Sequence, residues 1–183
     1  MARTMRTSDK GVELIKSFEG FRARASRLPD GKWLVGYGHT ETARAGLSVT
    51  PFDAELILRY HDLKRLEDQL ARQVFTPLTQ NEFDALASFV FNIGLKAFEG
   101  SDVLAHLNSG DRILAAEAMN GWRRGRVDGQ IRVIDGLARR RAVEVAMFLD
   151  TPSQRVAIPS ALVRPERDGL SGLTGNRGGA IVL

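Results

Sequence analysis

Residues 76–94, "TPLTQNEFDALASFVFNIG", constrain this chain more than any other stretch. Thr79 followed three residues later by Glu82 forms a capping box, in which the threonine hydroxyl and the glutamate carboxylate satisfy backbone N–H groups that a helix start leaves open. The segment it opens is apolar on nearly every side, and Gly94 can close it in a conformation that costs other residues more. A helix with no polar face must be buried all round. The rest of the chain therefore has to wrap it.

The flanking sequence supplies the wrapping. Ser8 caps a first helix whose Val12, Leu14, Ile15 and Phe18 fall near one face, ending at Glu19-Gly20. Thr50-Pro51-Phe52-Asp53 opens the longest helix, with Leu56, Leu63, Leu66 and Leu70 as its buried stripe as far as about Val74. Ser101 starts a short helix through Leu107, Asp111 precedes "RILAAEAMNGW", where Trp122 packs, and a last helix spans Leu137 to Leu149. Only two places read otherwise. Pro29-Asp30-Gly31 is a turn leading into a strand from Lys32 to Tyr37, and Asp128-Gly129 marks a second small hairpin or an extended loop. The expected architecture is α+β, with a small β-hairpin lobe, a mostly helical lobe and a cleft between them. Residues 1–150 read as one domain. Residues 151–183 lose the helical period, gain prolines and glycines, and read as a linker or extended tail.

Composition removes several functions. With 43% hydrophobic and 26% charged residues among 183, this is an ordinary globular composition. There are no cysteines, and His39, His61 and His106 show no ligand spacing, so neither a metal site nor a cofactor is expected. A net charge of +4 is too modest to point to nucleic acid. The opening "MARTMRTSDKGVELIK" has no apolar run for a signal peptide or a membrane span. The expected location is cytoplasmic, with any membrane anchor supplied by segments other than these.

Glu19 sits at a helix C-terminus, where the macrodipole disfavours negative charge. Alone it says little. In order along the chain, however, "ELIKSFEG", "DGKWLVGYGHT", "TPLTQNEFDALASFVFNIG", "AFEGSDVLAHLNSGD" and "GLARRRAVEVAMFL" resemble the phage-type lysozymes, glycoside hydrolase family 24, over residues 8–149. That resemblance implies the lysozyme-like fold and an active site written as glutamate, eight intervening residues, aspartate, five more, threonine. Glu19 falls on the general acid. The aspartate and threonine positions fall on Leu28 and Leu34. Gly31 and the Gly36-Tyr37-Gly38-His39 run keep the frame, so Asp30 stays in the turn and cannot slide into the aspartate slot.

Glycoside cleavage ordinarily needs two carboxylates, one to protonate the leaving oxygen and one to stabilise the cation or prepare water. Leucine does neither, and each lost polar group costs on the order of 10²–10³ in rate. Strand alternation puts Leu34 on the face opposite Val35. Two readings stand for the leucines: they form an apolar floor beside Glu19, or they fill the hairpin's own core. Arg139, Arg140 and Arg141 begin the last helix, and the resemblance directs an arginine from there to the acid; the bland reading is a solvated run. Asn92 reads either as a cleft residue or as a helix-end one, and His39 as a structural hydrogen-bonding residue behind the hairpin.

One branch of the family has this same pattern, the muramidase-like domains of SpmX-type polarity proteins, matched here by "FEGFRARASRLPDGKWLVGYGHT", "ARAGLSVTPFDAELIL" and "GRVDGQIRVIDGLARRRA". The resemblance implies a self-associating scaffold that positions a sensor histidine kinase, catalytically inactive or strongly impaired. The alternative is an active peptidoglycan N-acetylmuramidase, an endolysin hydrolysing the MurNAc-GlcNAc β-1,4 bond. An intermediate reading keeps glycan binding without cleavage.

Overall fold

In a computed structural model, residues 5–150 are described throughout, together with the backbone of 180–181. Helix α1 (Asp9–Glu19) starts where the Ser8 hydroxyl accepts the Gly11 N–H and stops at Gly20, whose φ of 70° breaks the helical path. Strands β1 (Arg22–Arg27) and β2 (Trp33–Gly36) then form an antiparallel hairpin in which Ser26 faces Leu34, with a shift of register between Arg22 and Ser26. The strand is thus shorter than the expected Lys32–Tyr37 stretch, because the backbones of Val35 and His39 pair to turn the chain out of the sheet.

The long helix does open at the Thr50 capping box, but it is not one α-helix. It runs as α2 (Pro51–Ile57), a π turn (Leu58–Asp62) and α3 (Leu63–Gln73). The extra residue in the π turn rotates the buried face, so the apolar stripe follows Ala54, Leu58, Leu63, Leu66 and Leu70. Leu56, expected in that stripe, is exposed.

Helix α4 (Gln80–Ile93) is the central element, capped by the reciprocal Thr79–Glu82 bonds and packed against α1, α3 and the last helix. Short helices α5 (Leu95–Glu99), α6 (Asp102–Asn108) and α7 (Arg112–Gly121) follow. Strands β3 (Arg124–Val127) and β4 (Gln130–Val133) form the second hairpin, turning at Asp128 and Gly129, both with positive φ. Helix α8 (Asp135–Leu149) begins two residues before the expected start. The expected tail, 151–183, lies outside the described residues except for β5 (Ala180–Ile181), whose backbone pairs parallel with β3.

Two apolar clusters result. The larger one, around Phe83, Leu86, Phe89, Phe98, Leu107 and Met119, fills the helical lobe, with Trp122 set edge-on to Phe89. The smaller one joins Val12, Ile15, Tyr37, Ala54, Leu58 and Leu63 beneath the hairpin. Helix α1 serves both, because Leu14 and Phe18 face the first while Val12 and Ile15 face the second. Its C-terminal residue, Glu19, therefore emerges at the seam between the lobes. Among the described residues no helix is long and apolar enough to cross a membrane.

Candidate active site

The Glu19 side chain is 23% exposed, and Arg140 Nη1 donates to its Oε1 at 2.6 Å. The guanidinium supplies the positive charge that a carboxylate at a helix C-terminus lacks. On the other side stands Gly38, with φ 103°. A Cβ there would lie 3.3 Å from the Phe91 ring and 3.7 Å from Glu19 Oε2; the φ and the tight approach to Phe91 are what call for glycine. The adjoining groove, about 290 Å³, is walled by Gly38, Thr40, Glu41, His61, Asp62 and Phe91, among others.

Of the three arginines, Arg140 alone reaches Glu19. It also donates to Glu144 Oε1 at 2.9 Å and to the Ser88 carbonyl at 3.0 Å, and its guanidinium lies over the Phe18 ring. Arg141 is wholly buried against Phe89, donates to Asn92 Oδ1 at 2.8 Å and pairs with Glu144 Oε2 at 2.9 Å. Arg139 is exposed and belongs to the solvated face. Asn92 is therefore held at the end of α4 by a buried guanidinium. Burial pushes the Glu144 carboxyl up and the Arg141 guanidinium down to about 10; attraction within the cluster opposes both changes, and Arg140 lowers Arg141 further as a like charge. At neutral pH Arg141 stays charged.

Glu144 and Ser88 were not singled out from the sequence, although a signal existed. Arg140 and Arg141 stand four and three residues before Glu144, the spacings that meet on a helix face.

Leu28 and Leu34 are half-buried, and neither belongs to either apolar cluster. Leu28 closes the turn, its N–H donating to the Lys32 carbonyl and its carbonyl accepting the Gly31 N–H. Asp30 Oδ1 accepts the Lys32 N–H at 3.1 Å, and Gly31 takes φ 87°. His39 is buried, with Nδ1 2.8 Å from Asp62 Oδ1 and Nε2 accepting the Thr42 N–H at 3.1 Å. The only hydrogen-bond partner of the Glu19 carboxylate among the described residues is Arg140.

The phage lysozyme family model matches residues 16–144. The chain belongs to that family. An endolysin of Acyrthosiphon pisum secondary endosymbiont phage 1 is 41% identical over 144 residues, covering 79% of this chain and 98% of that protein. Among solved structures, the muramidase domain of SpmX from Asticaccaulis excentricus superposes with a TM-score of 0.77 at 52% identity, over 80% of this chain and 99% of that one. P22 lysozyme gives a TM-score of 0.71 at 35% identity, over 80% and 99%. The architecture is accordingly the lysozyme-like fold, mostly helical with a small two-stranded hairpin. As a phage lysozyme, the chain places Glu19 at the seam between its lobes and carries leucine at positions 28 and 34 of its first hairpin.

Proposed function

We propose that this is a repurposed muramidase domain, inactive or strongly impaired in hydrolysis, that self-associates and binds a protein partner through its remodelled cleft. The observation that carries the reading is the pair Leu28 and Leu34, half-buried on the hairpin and outside both apolar clusters. Two part-exposed aliphatic side chains suit a protein contact better than a sugar ring whose hydroxyls need partners. The likeness to the SpmX muramidase domain supports it. By that resemblance the partner is of the sensor histidine kinase type, the role is in cell polarity, and the domain works in the cytoplasm with membrane attachment supplied by other segments.

A second reading, an active endolysin cleaving peptidoglycan, is favoured by the retained Glu19 and by the endolysin relatives, among them that of Salmonella phage P22 at 36% identity. Turbidity clearing of a peptidoglycan suspension beside P22 lysozyme, with molar mass measured on the same sample, separates the two. The scaffold reading expects clearing at least about a thousandfold slower and a mass that rises with concentration. Comparable clearing by a monomer overturns it, and binding to the suspension without clearing marks retained glycan affinity.

A further inference from the structure

His39, His61 and Asp62 converge where the end of the hairpin meets the π turn, and neither sugar cleavage nor docking at the leucines calls on them. The His39 and His61 rings stand edge to face with centroids 4.9 Å apart. Asp62 Oδ1 lies 2.8 Å from His39 Nδ1 and 3.3 Å from His61 Nδ1. One ligating atom from each residue falls within 4.8 Å of the others. Independently, Asp62 Oδ2 is buried with no hydrogen-bond partner among the described residues. A carboxylate oxygen buried without a donor is costly unless a cation shares it.

The cluster joins the π turn to the end of the first hairpin. His61 and Asp62 are the last two residues of the turn at Leu58–Asp62, and His39 follows strand β2. Glu41 Oε2 stands 3.8 Å from His61 Nε2 at the rim, and the cluster opens on the groove beside Gly38.

We propose that His39, His61 and Asp62 bind a divalent transition-metal ion of the zinc type, with water in the remaining position. Two imidazole nitrogens and a carboxylate are a zinc donor set, and its bond lengths place tetrahedral ligand atoms about 3.3 Å apart. The His61–Asp62 edge already has that length, and His61 is 43% exposed in its side chain. Binding shifts the His39 ring proton from Nδ1 to Nε2, where the Thr42 hydroxyl, 2.8 Å away, accepts it and orients the ring from behind. The Thr42 N–H loses its acceptor in exchange, and Arg65 on the groove wall opposes the ion's charge. The ion would clip the end of the hairpin to the long helix, next to Gly38.

The test is calorimetric titration of the chelator-treated full chain with zinc chloride, with Co²⁺ absorption reporting the coordination geometry. One ion binds per chain, Co²⁺ gives tetrahedral bands, and His61→Ala and Asp62→Asn each weaken binding on the order of tenfold or more, while His106→Ala leaves it unchanged. His61→Ala carries the weight, because a half-exposed side chain is removable without opening the core. Absence of saturable binding, an unchanged affinity in His61→Ala, or its loss in His106→Ala overturns the proposal.

Discussion

Glu19 is held by Arg140, and Arg140 is held by Glu144, so the position of the acid is fixed from a helix far away in sequence. Glu144 is wholly buried between two guanidiniums that are themselves almost entirely buried. Glu144→Gln keeps the shape and removes the charge, leaving buried Arg141 without its carboxylate and Arg140 with Glu19 alone. It is expected to cost about 3–5 kcal/mol in urea unfolding. Arg139→Ala, on the exposed face, is expected to stay within about 0.5 kcal/mol. Equal effects in the two variants would show that the buried pairing is not what holds the site. The residue types of this network were legible in the chain. Which of three consecutive arginines faces inward was not, because that depends on the rotational setting of α8 against α4, and packing fixes that setting.

The seam between α1 and the long helix is ionic. Lys16 donates to Glu13 and Glu55, and Arg59 donates to Glu55 and pairs with Asp9. Hydrogen bonds from Lys16 and Arg59 hold the Glu55 carboxyl below its ordinary value of 4.5. The unfolded chain then takes up this proton more readily than the folded one. The contribution is full above the unfolded value and is lost as pH falls through the folded one. From about pH 5 down to about pH 3, the urea midpoint is expected to fall more steeply in the parent than in Glu55→Gln; parallel profiles would remove Glu55 from the account. At this scale the caps were readable, since Thr79 with Glu82 and Thr50 with Asp53 bond as their spacing dictates. The π turn was not. A period of 3.6 residues carries no allowance for an inserted one, so Leu56 was assigned to a face that the real helix has already rotated to solvent.

For the molecule as a whole, two lobes share α1, and the proposed function turns on two hairpin positions. Leu28→Asp combined with Leu34→Thr is expected to restore measurable peptidoglycan clearing and to weaken self-association, read by turbidity and by molar mass. Clearing that stays at background with association unchanged would separate the cleft from both functions. The chain by itself determined the helical wrapping of α4 and the first hairpin, each written in local spacing, whether a cap, a period or a turn, and its resemblance to the phage lysozymes supplied the lysozyme-like plan. Tertiary structure alone decided which arginine meets Glu19, that Gly38 packs by Phe91, and that His39 and His61 share one aspartate. Those contacts join residues far apart in the chain, and their geometry follows from how helices rotate and pack, which no local pattern encodes.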